Sequence, residues 1–260
     1  MDGSWHPCDN QRKGIVDKMR SLISAIRFMT ILPLGRPGTF DPKGMVPFFP
    51  VVGIIVGVLL ALFDQAALQL WPGPVVGILD VIFLVVITGA FHLDGLGDAA
   101  DGLLGHRPRE KALAIMKDSR IGVMGLLAIV CGLAIKWGGI ASLDAHRSFL
   151  LIVIPAYARG SKLFGIKFLQ YGRPDGGTGH PLFATTLRPS AFWGLLVPVT
   201  LSIFLGWKGL WLNGFFALMT AAILIYYKKR IGCVTGDMLG AMSELTESML
   251  FLLLSIGGTR

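Results

Sequence analysis

Charge is what this 260-residue chain has least of. Asp, Glu, Lys and Arg together make up 15% of it, against about 25% in ordinary soluble domains. A water-exposed surface needs ionised groups to stay dispersed, so the deficit excludes a typical soluble globular protein. Cysteine is scarce as well. Cys8, Cys131 and Cys233 share no metal-ligand spacing and no pairing pattern, which excludes a zinc site and a disulfide framework and leaves reduced, incidental thiols. The first fourteen residues are polar and lack the apolar stretch of a cleavable signal peptide, so insertion is expected to rely on the chain's own spans. No internal repeat, linker or second domain is visible. The reading is a disordered lead over residues 1–14 and one integral membrane domain over 15–260.

What the chain does have is apolar: 53% hydrophobic residues and a mean hydropathy of +0.65. Apolar runs cover residues 46–63, 75–91, 121–135, 148–158, 192–206 and 214–227. A helix needs about 20 residues to cross the hydrocarbon core, and several runs reach that length only with their flanks. The expected fold is therefore all-α, a polytopic transmembrane helical bundle of six or seven spans. Before it, Ile15, Val16, Met19, Leu22, Ile23 and Ile26 recur at helical spacing against a polar face of Asp17, Lys18, Arg20 and Arg27. That pattern predicts an amphipathic helix lying at the membrane interface. The glycines of 52–58 suggest close helix–helix approach, or the ordinary glycine content of a bacterial span.

The net charge of +8 invites a nucleic-acid reading, but the placement of the charge argues against one. Lys and Arg bunch within 12–43, 107–120, 162–188 and 228–230, while 64–74 has none, 138–147 only Arg147 and 207–213 only Lys208. This is the positive-inside alternation. It puts the N-terminus and the basic loops in the cytoplasm, with the lipid bilayer as surroundings, anionic lipid as a secondary attractor and no nucleic acid as partner.

The acids are few and clustered. In FHLDGLGDAADG (residues 91–102), Asp94, Asp98 and Asp101 fall within roughly a 60° arc of one helix face. Three carboxylates on one stripe repel one another, so a cation is expected against them. Hard oxygen donors favour Mg²⁺, which takes one or two carboxylates plus substrate phosphates; a helix end capped by aspartates is the plainer alternative. Asp237 and Glu244, in TGDMLGAMSE (residues 235–244), again share a face, although Asp237 could simply answer a helix dipole. Counting spans returns both acidic groups to the cytoplasmic end, where they can share one site. Arg159 and Lys162, three apart within a span, read as phosphate ligands because ionised residues in spans are expensive; Lys162 could equally snorkel. The glycine-rich YGRPDGGTGH (residues 171–180) offers backbone N–H groups and Arg173 to an anion, but fits no P-loop.

FHLDGLGDAADG followed by MKDSRIG (residues 116–122) resembles the cobalamin synthase family, the adenosylcobinamide-GDP ribazoletransferases. The likeness extends through RFMTILPL (27–34), 49–57, 158–160, 173–179 and TGDMLGAMSE, nearly the whole chain after residue 18. The resemblance implies a Mg²⁺-dependent phosphotransferase of the bacterial inner membrane, with its site toward the cytoplasm. Its substrates would be adenosylcobinamide-GDP and α-ribazole or its 5′-phosphate, and its products adenosylcobalamin or its phosphate and GMP. Association with other cobalamin-assembly enzymes is a further expectation. The family's acidic motif carries over onto Asp94, Asp98 and Asp101, its downstream motif onto Asp118 and Arg120. The loop 173–179 departs mildly, with Pro-Asp-Gly-Gly where relatives often have an acidic residue then Gly-Leu-Gly.

The two readings agree on chemistry. A ribose 3′-hydroxyl attacks the cobinamide-proximal phosphorus and GMP leaves. Carboxylate-held Mg²⁺ would neutralise the diphosphate, a free carboxylate would take the proton, and Arg120, Arg159 and Arg173 would balance charge on the departing GMP. His92 is either a proton relay or a histidine satisfied at a span end. Two rivals stand beside this reading. A CDP-alcohol phosphotransferase would require Asp-Gly-x-x-Ala-Arg where this chain continues from Asp94-Gly95 to Asp98-Ala99, and an ion-coupled transporter would place its acids near the midplane.

Overall fold

A computed structural model of the chain describes residues 7–34, 41–144, 146–173, 176–177, 179–184 and 186–256, with side chains from residue 14 onward. The elements are α1 (Pro7–Met29), α2 (Pro42–Met45), α3 (Phe49–Ala67), α4 (Gly73–Ile87), α5 (Phe91–Leu103), α6 (Arg109–Ile115), α7 (Val123–Ala141), α8 (Arg147–Phe168), α9 (Trp193–Ser202), α10 (Trp207–Arg230) and α11 (Gly236–Leu254). No strand occurs among the described residues; a single isolated parallel bridge joins Tyr171 and Val234. The all-α bundle is as expected. Helix α1, however, starts at Pro7, so residues 7–14 form its first turns rather than a disordered lead; residues 1–6 lie outside the described part.

Four helical stretches are long and apolar enough to cross a membrane: Pro42–Ala67, Val123–Ala141, Arg147–Phe168 and Trp207–Arg230. The pair α4–α5 passes the same test only jointly, with an 89° bend between its halves. The expectation of six or seven spans thus reduces to four or five by length and composition. The difference has two sources. Helix α11 is long enough but carries Asp237, Glu244 and Glu247, and the apolar stretch Pro189–Leu205 is too short. Leu62, Ile82, Val130 and Leu218 are exposed on the outside of the bundle, as residues solvated by lipid should be.

Helix α8 is the axis, buried along most of its length. Helix α3 lies directly on it because Gly53 and Gly57 bring no side chain. A Cβ at Gly53 would come within 2.4 Å of the Ala156 Cα, and one at Gly57 within 2.4 Å of the Ile152 carbonyl. Where lipid supplies no hydrophobic drive, such backbone-to-backbone contact is what holds helices together. Along α1, Ile15, Val16 and Met19 are exposed while Ala25, Ile26 and Met29 are buried against the bundle. The first half of that helix therefore has an unpartnered apolar face, in keeping with an interfacial role.

The connections segregate into two ends. At one, Gln65 Nε2 donates to Ser148 Oγ at 2.8 Å and Trp137 Nε1 to the Pro74 carbonyl at 3.0 Å. There Arg147 ties α8 to its neighbours: its Nη2 lies 2.7 Å from Asp64 Oδ1 and 2.9 Å from Asp80 Oδ2, and its Nη1 donates to the Ile140 carbonyl at 2.6 Å. At the other end the lysine- and arginine-rich connections gather. Arg230 Nε donates to the Leu103 carbonyl at 2.9 Å, and the Gly172 N–H to the Val234 carbonyl at 2.9 Å.

The bend before α5 is made by two consecutive left-handed residues, Gly89 (φ 59°) and Ala90 (φ 57°). An alanine there costs on the order of 1 kcal/mol, so the surrounding packing must hold it. The Ile31 N–H donates to the Ile87 carbonyl at 2.9 Å, and a Cβ at Gly89 would press within 2.9 Å of the Ile31 side chain. The chain after α1 thus braces the corner from which α5 departs.

Candidate active site

Helix α5 is held at the basic end by two glycine contacts. Gly95 abuts the start of α11: a Cβ there would stand 2.7 Å from the Asp237 carbonyl oxygen. Gly240, one turn further along α11, faces the backbone of His92, where an added Cβ would lie 3.3 Å from its carbonyl oxygen. This close crossing brings two acidic stretches far apart in sequence to one rim. Asp98 is within electrostatic reach of Asp94, Asp237, Asp101 and Arg173. Asp94 is exposed, and Asp98 half-buried. Among the described residues neither makes an ion pair or a side-chain hydrogen bond, whereas Asp237 beside them pairs with Arg173.

Arg173 reaches the same rim from the glycine-rich loop. The bridge between Tyr171 and Val234, made by Gly172 N–H to the Val234 carbonyl and Val234 N–H to the Gln170 carbonyl, each 2.9 Å, lashes that loop to the segment before α11. Gly172 is needed for this, since a Cβ would stand 2.6 Å from Cys233 Sγ. The result is a 2.7 Å ion pair from Arg173 Nη2 to Asp237 Oδ2. Thr235 caps α11 by accepting the Met238 N–H at 3.2 Å. Asp175 lies outside the described residues.

Asp101 stands apart from its two companions. One of its oxygens accepts the Gly122 N–H at 2.7 Å and the other the Gly125 N–H at 2.9 Å, so the carboxylate caps the N-terminus of α7. The first turn of a helix carries unpaired N–H groups and a positive dipole end, and a carboxylate answers both. The expectation was that Asp94, Asp98 and Asp101 form one metal-binding stripe. They do share a face, but both oxygens of Asp101 are turned to α7.

Asp118 and Arg120, in the connection before α7, bond to each other. Arg120 Nη2 lies 2.6 Å and Nε 3.0 Å from the carboxylate oxygens, and the Arg120 N–H donates to Asp118 Oδ1 at 3.1 Å. These bonds from Arg120 hold the Asp118 carboxyl down to about 2, so the pair stays ionised through the physiological range. It is exposed to solvent at the same end as the rim.

His92, Arg159, Lys162 and Glu244 occupy a second, buried cluster inside the bundle. Lys136 Nζ of α7 lies 2.5 Å from Glu244 Oε2 and 2.7 Å from Glu247 Oε2 of α11. Arg159 Nη1 of α8 pairs with Glu247 Oε1 at 3.0 Å and donates to its own helix at the Pro155 carbonyl, also 3.0 Å. Lys162 Nζ bonds His92 Nε2. All six are almost fully enclosed. Arg159, expected as a phosphate ligand, has its guanidinium buried and paired with Glu247. Lys162 does not snorkel; it is turned inward to His92. Neither Lys136 nor Glu247 was singled out from the sequence. The available signal was a lysine one residue beyond an apolar run, in a segment long enough to span.

Two chemistries can therefore be separated. The rim of Asp94, Asp98, Asp237 and Arg173 is open, polar and of mixed sign, suited to a cation and a phosphate. The inner cluster balances its own charges and ties α5, α7, α8 and α11 together. Among the described residues no three His, Cys, Asp or Glu side chains converge closely enough to hold a metal ion by themselves.

Comparison with known proteins gives a consistent result. A family model described as cobalamin-5-phosphate synthase matches residues 21–255. The chain is 36% identical over 244 residues to an adenosylcobinamide-GDP ribazoletransferase of Brevibacillus brevis, covering 91% of this chain and 98% of that protein. It is 32% identical over 246 residues to one of Geotalea daltonii, covering 92% and 99%. With one of Alkaliphilus metalliredigens it shares 36% over 249 residues, covering 92% and 97%. No solved structure matches.

Proposed function

The chain belongs to the cobalamin-5-phosphate synthase family, and on that premise we propose that its rim of Asp94, Asp98, Asp237 and Arg173 joins adenosylcobinamide-GDP to α-ribazole or its 5′-phosphate. The ribose 3′-oxygen bonds to the cobinamide-proximal phosphorus, the bond from that phosphorus to the GMP phosphate oxygen breaks, and GMP departs with the electron pair. The hydroxyl proton passes to a rim carboxylate, Asp94 or Asp98. Arg173, oriented by its 2.7 Å pair with Asp237, is placed to meet the diphosphate, and exposed Arg120 is available to the departing nucleotide from the neighbouring loop.

The observation that carries this reading is the meeting of the α5 and α11 acids with Arg173 at one open rim. These three segments are distant in sequence and each lies within the matched family region. One or two of Asp94, Asp98 and Asp237 would hold the Mg²⁺ ion, with water and substrate phosphate completing its shell. When bound, it neutralises phosphate charge and polarises the reacting phosphorus. The protein's own residues fix the substrate relative to the base and exclude competing approaches, which is where most of the rate of a phosphoryl transfer is gained. The gathering of the basic connections at the rim end supports a multi-pass protein of the bacterial inner membrane with this site on the cytoplasmic side.

The test is purified protein in detergent with adenosylcobinamide-GDP, α-ribazole and Mg²⁺, with GMP followed by chromatography. Stoichiometric GMP and cobalamin product are expected. GMP formation that proceeds equally without α-ribazole would make the protein a hydrolase instead.

A further inference from the structure

On the side of α5 that faces away from the acidic rim, small residues leave a groove of about 350 Å³ between α5, α7, α10 and α11. Its walls include Leu96, Ala100 and Leu103 of α5, Ala222 and Ile223 of α10, and Leu245 of α11. They are aliphatic almost throughout, and in a bundle surrounded by lipid such a slot takes a hydrocarbon chain. Its basic end is different. The Leu103 carbonyl accepts Arg230 Nε at 2.9 Å and the Tyr226 hydroxyl at 3.5 Å. Arg230 Nη1 donates to the Arg107 carbonyl at 3.0 Å. Arg230 Nη2, however, is buried with no acceptor. Lys228 and Lys229 stand exposed beside it in the last turn of α10. The mouth of the groove therefore carries one fixed guanidinium and two exposed ammonium groups. Tyrosine and lysine at this level mark the boundary between hydrocarbon and water.

We propose that this groove is a binding site for one anionic phospholipid, with an acyl chain between α5 and α10 and its headgroup at the basic end of α10, among Lys228, Lys229 and Arg230. Charge complementarity favours an anionic headgroup over a zwitterionic one. Three cations in consecutive positions attract net negative charge, each contributing on the order of 1 kcal/mol near an anionic surface, whereas choline would bring a fourth positive group among them. The site is built rather than diffuse, because one side chain at the mouth, Leu103, lines the groove while its carbonyl positions the guanidinium. The occupied groove would also back α5 from behind. That consequence rests on the functional reading of the rim, whereas lipid binding itself does not.

The experiment measures binding and so stands apart from transferase activity. Delipidated protein is mixed with equal amounts of phosphatidylglycerol and phosphatidylcholine of identical acyl chains, and the intact complexes are weighed by native mass spectrometry. One phosphatidylglycerol should be retained about tenfold over phosphatidylcholine. Arg230→Gln should abolish that preference while leaving some lipid bound. Ala222→Trp, which fills the groove from its exposed rim without touching Arg230, should displace both lipids. Lys117→Gln, an exposed charge elsewhere on the same end, should change nothing. Equal retention of the two lipids by the wild-type protein, or a preference that survives both Arg230→Gln and Ala222→Trp, overturns the proposal. Melting curves of both variants confirm that they are folded, and a preference lost in Ala222→Trp alone suffices if Arg230→Gln fails to fold.

Discussion

Asp101 of α5 receives the backbone N–H of Gly125, in the first turn of α7, at 2.9 Å, while its other oxygen takes Gly122 at 2.7 Å. The neighbouring glycines are part of the arrangement, because a Cβ at either would lie 2.4 Å from an Asp101 oxygen. This carboxylate therefore fastens two helices together, and its loss should show first in stability. Asp101→Asn puts an amide donor against an N–H and should cost about 1–3 kcal/mol. Thermal melting in detergent checks it. A melting temperature equal to wild type, with activity gone, would return Asp101 to the metal-binding group.

Asp94→Asn, Asp98→Asn and Asp237→Asn should behave in the opposite way. Their carboxylates face the open rim, so the variants should fold normally and release GMP about 10²–10³-fold more slowly, the scale of losing one contact to developing charge. Combined variants should lose less than the product of the single losses, since groups serving one site fail together. A Mg²⁺ titration distinguishes the roles: a ligand variant should gain activity at high Mg²⁺, and the variant lacking the base should not. Unchanged Mg²⁺ dependence in all three would remove the metal from this rim.

Lys136 balances two buried glutamates. Lys136→Met takes from Glu244 its ion pair and leaves Glu247 only that with Arg159, and breaking a buried pair in this way costs about 3–5 kcal/mol. The variant should yield little monodisperse protein on size exclusion. The double variant Lys136→Met with Glu244→Gln removes one charge of each sign and should recover most of it. Equal yields from the single and double variants would show that charge balance is not what the cluster provides.

Gly95→Ala tests the crossing of α5 and α11. Its methyl group would meet the Asp237 carbonyl at 2.7 Å, so the helices must part, at a cost of about 1–3 kcal/mol for an overpacked contact. GMP release should fall even in the fraction that remains folded, because Asp94 and Asp98 move away from Asp237. Full activity in Gly95→Ala would mean that the rim tolerates displacement.

Orientation can be read with introduced cysteines. The native Cys233 is buried and reports poorly. In intact cells an impermeant thiol reagent should label Gln69→Cys, at the end with few basic residues, and spare Ser119→Cys, in the connection before α7, until the membrane is opened. The reverse pattern would invert the topology.

The helical class, the amphipathic lead-in and the two-ended distribution of charge were legible because they are local quantities. Composition, a 3.6-residue period and the Lys/Arg content of each loop need no knowledge of what packs on what. The spacing of Asp94, Asp98 and Asp101 likewise placed them on one face. It could not reveal that α7 begins opposite Asp101, since the partners are backbone amides more than twenty positions away. Arg159 misled for a related reason. A guanidinium in an apolar span demands a partner, and the sequence shows the demand without showing that Glu247 supplies it. Glu247 itself lay off the helical face of Asp237, and that face was the wrong reference, because its side chain looks toward α7 and α8 instead of the rim.

The corner at Gly89 and Ala90 carries a consequence for how the protein is made. By turning α5 through 89° from α4, it sets the acidic helix across the line of the helix that precedes it. Helix α5 is instead settled by Lys162 on α8 and by the backbone of Gly236–Leu254, all of which leave the ribosome later. Asp101 is placed as soon as α7 begins, but Asp94 and Asp98 wait for α11, and a product truncated before residue 236 has no wall against which they can be set. Quality control of this molecule thus falls on α11, without which the rim has no second side.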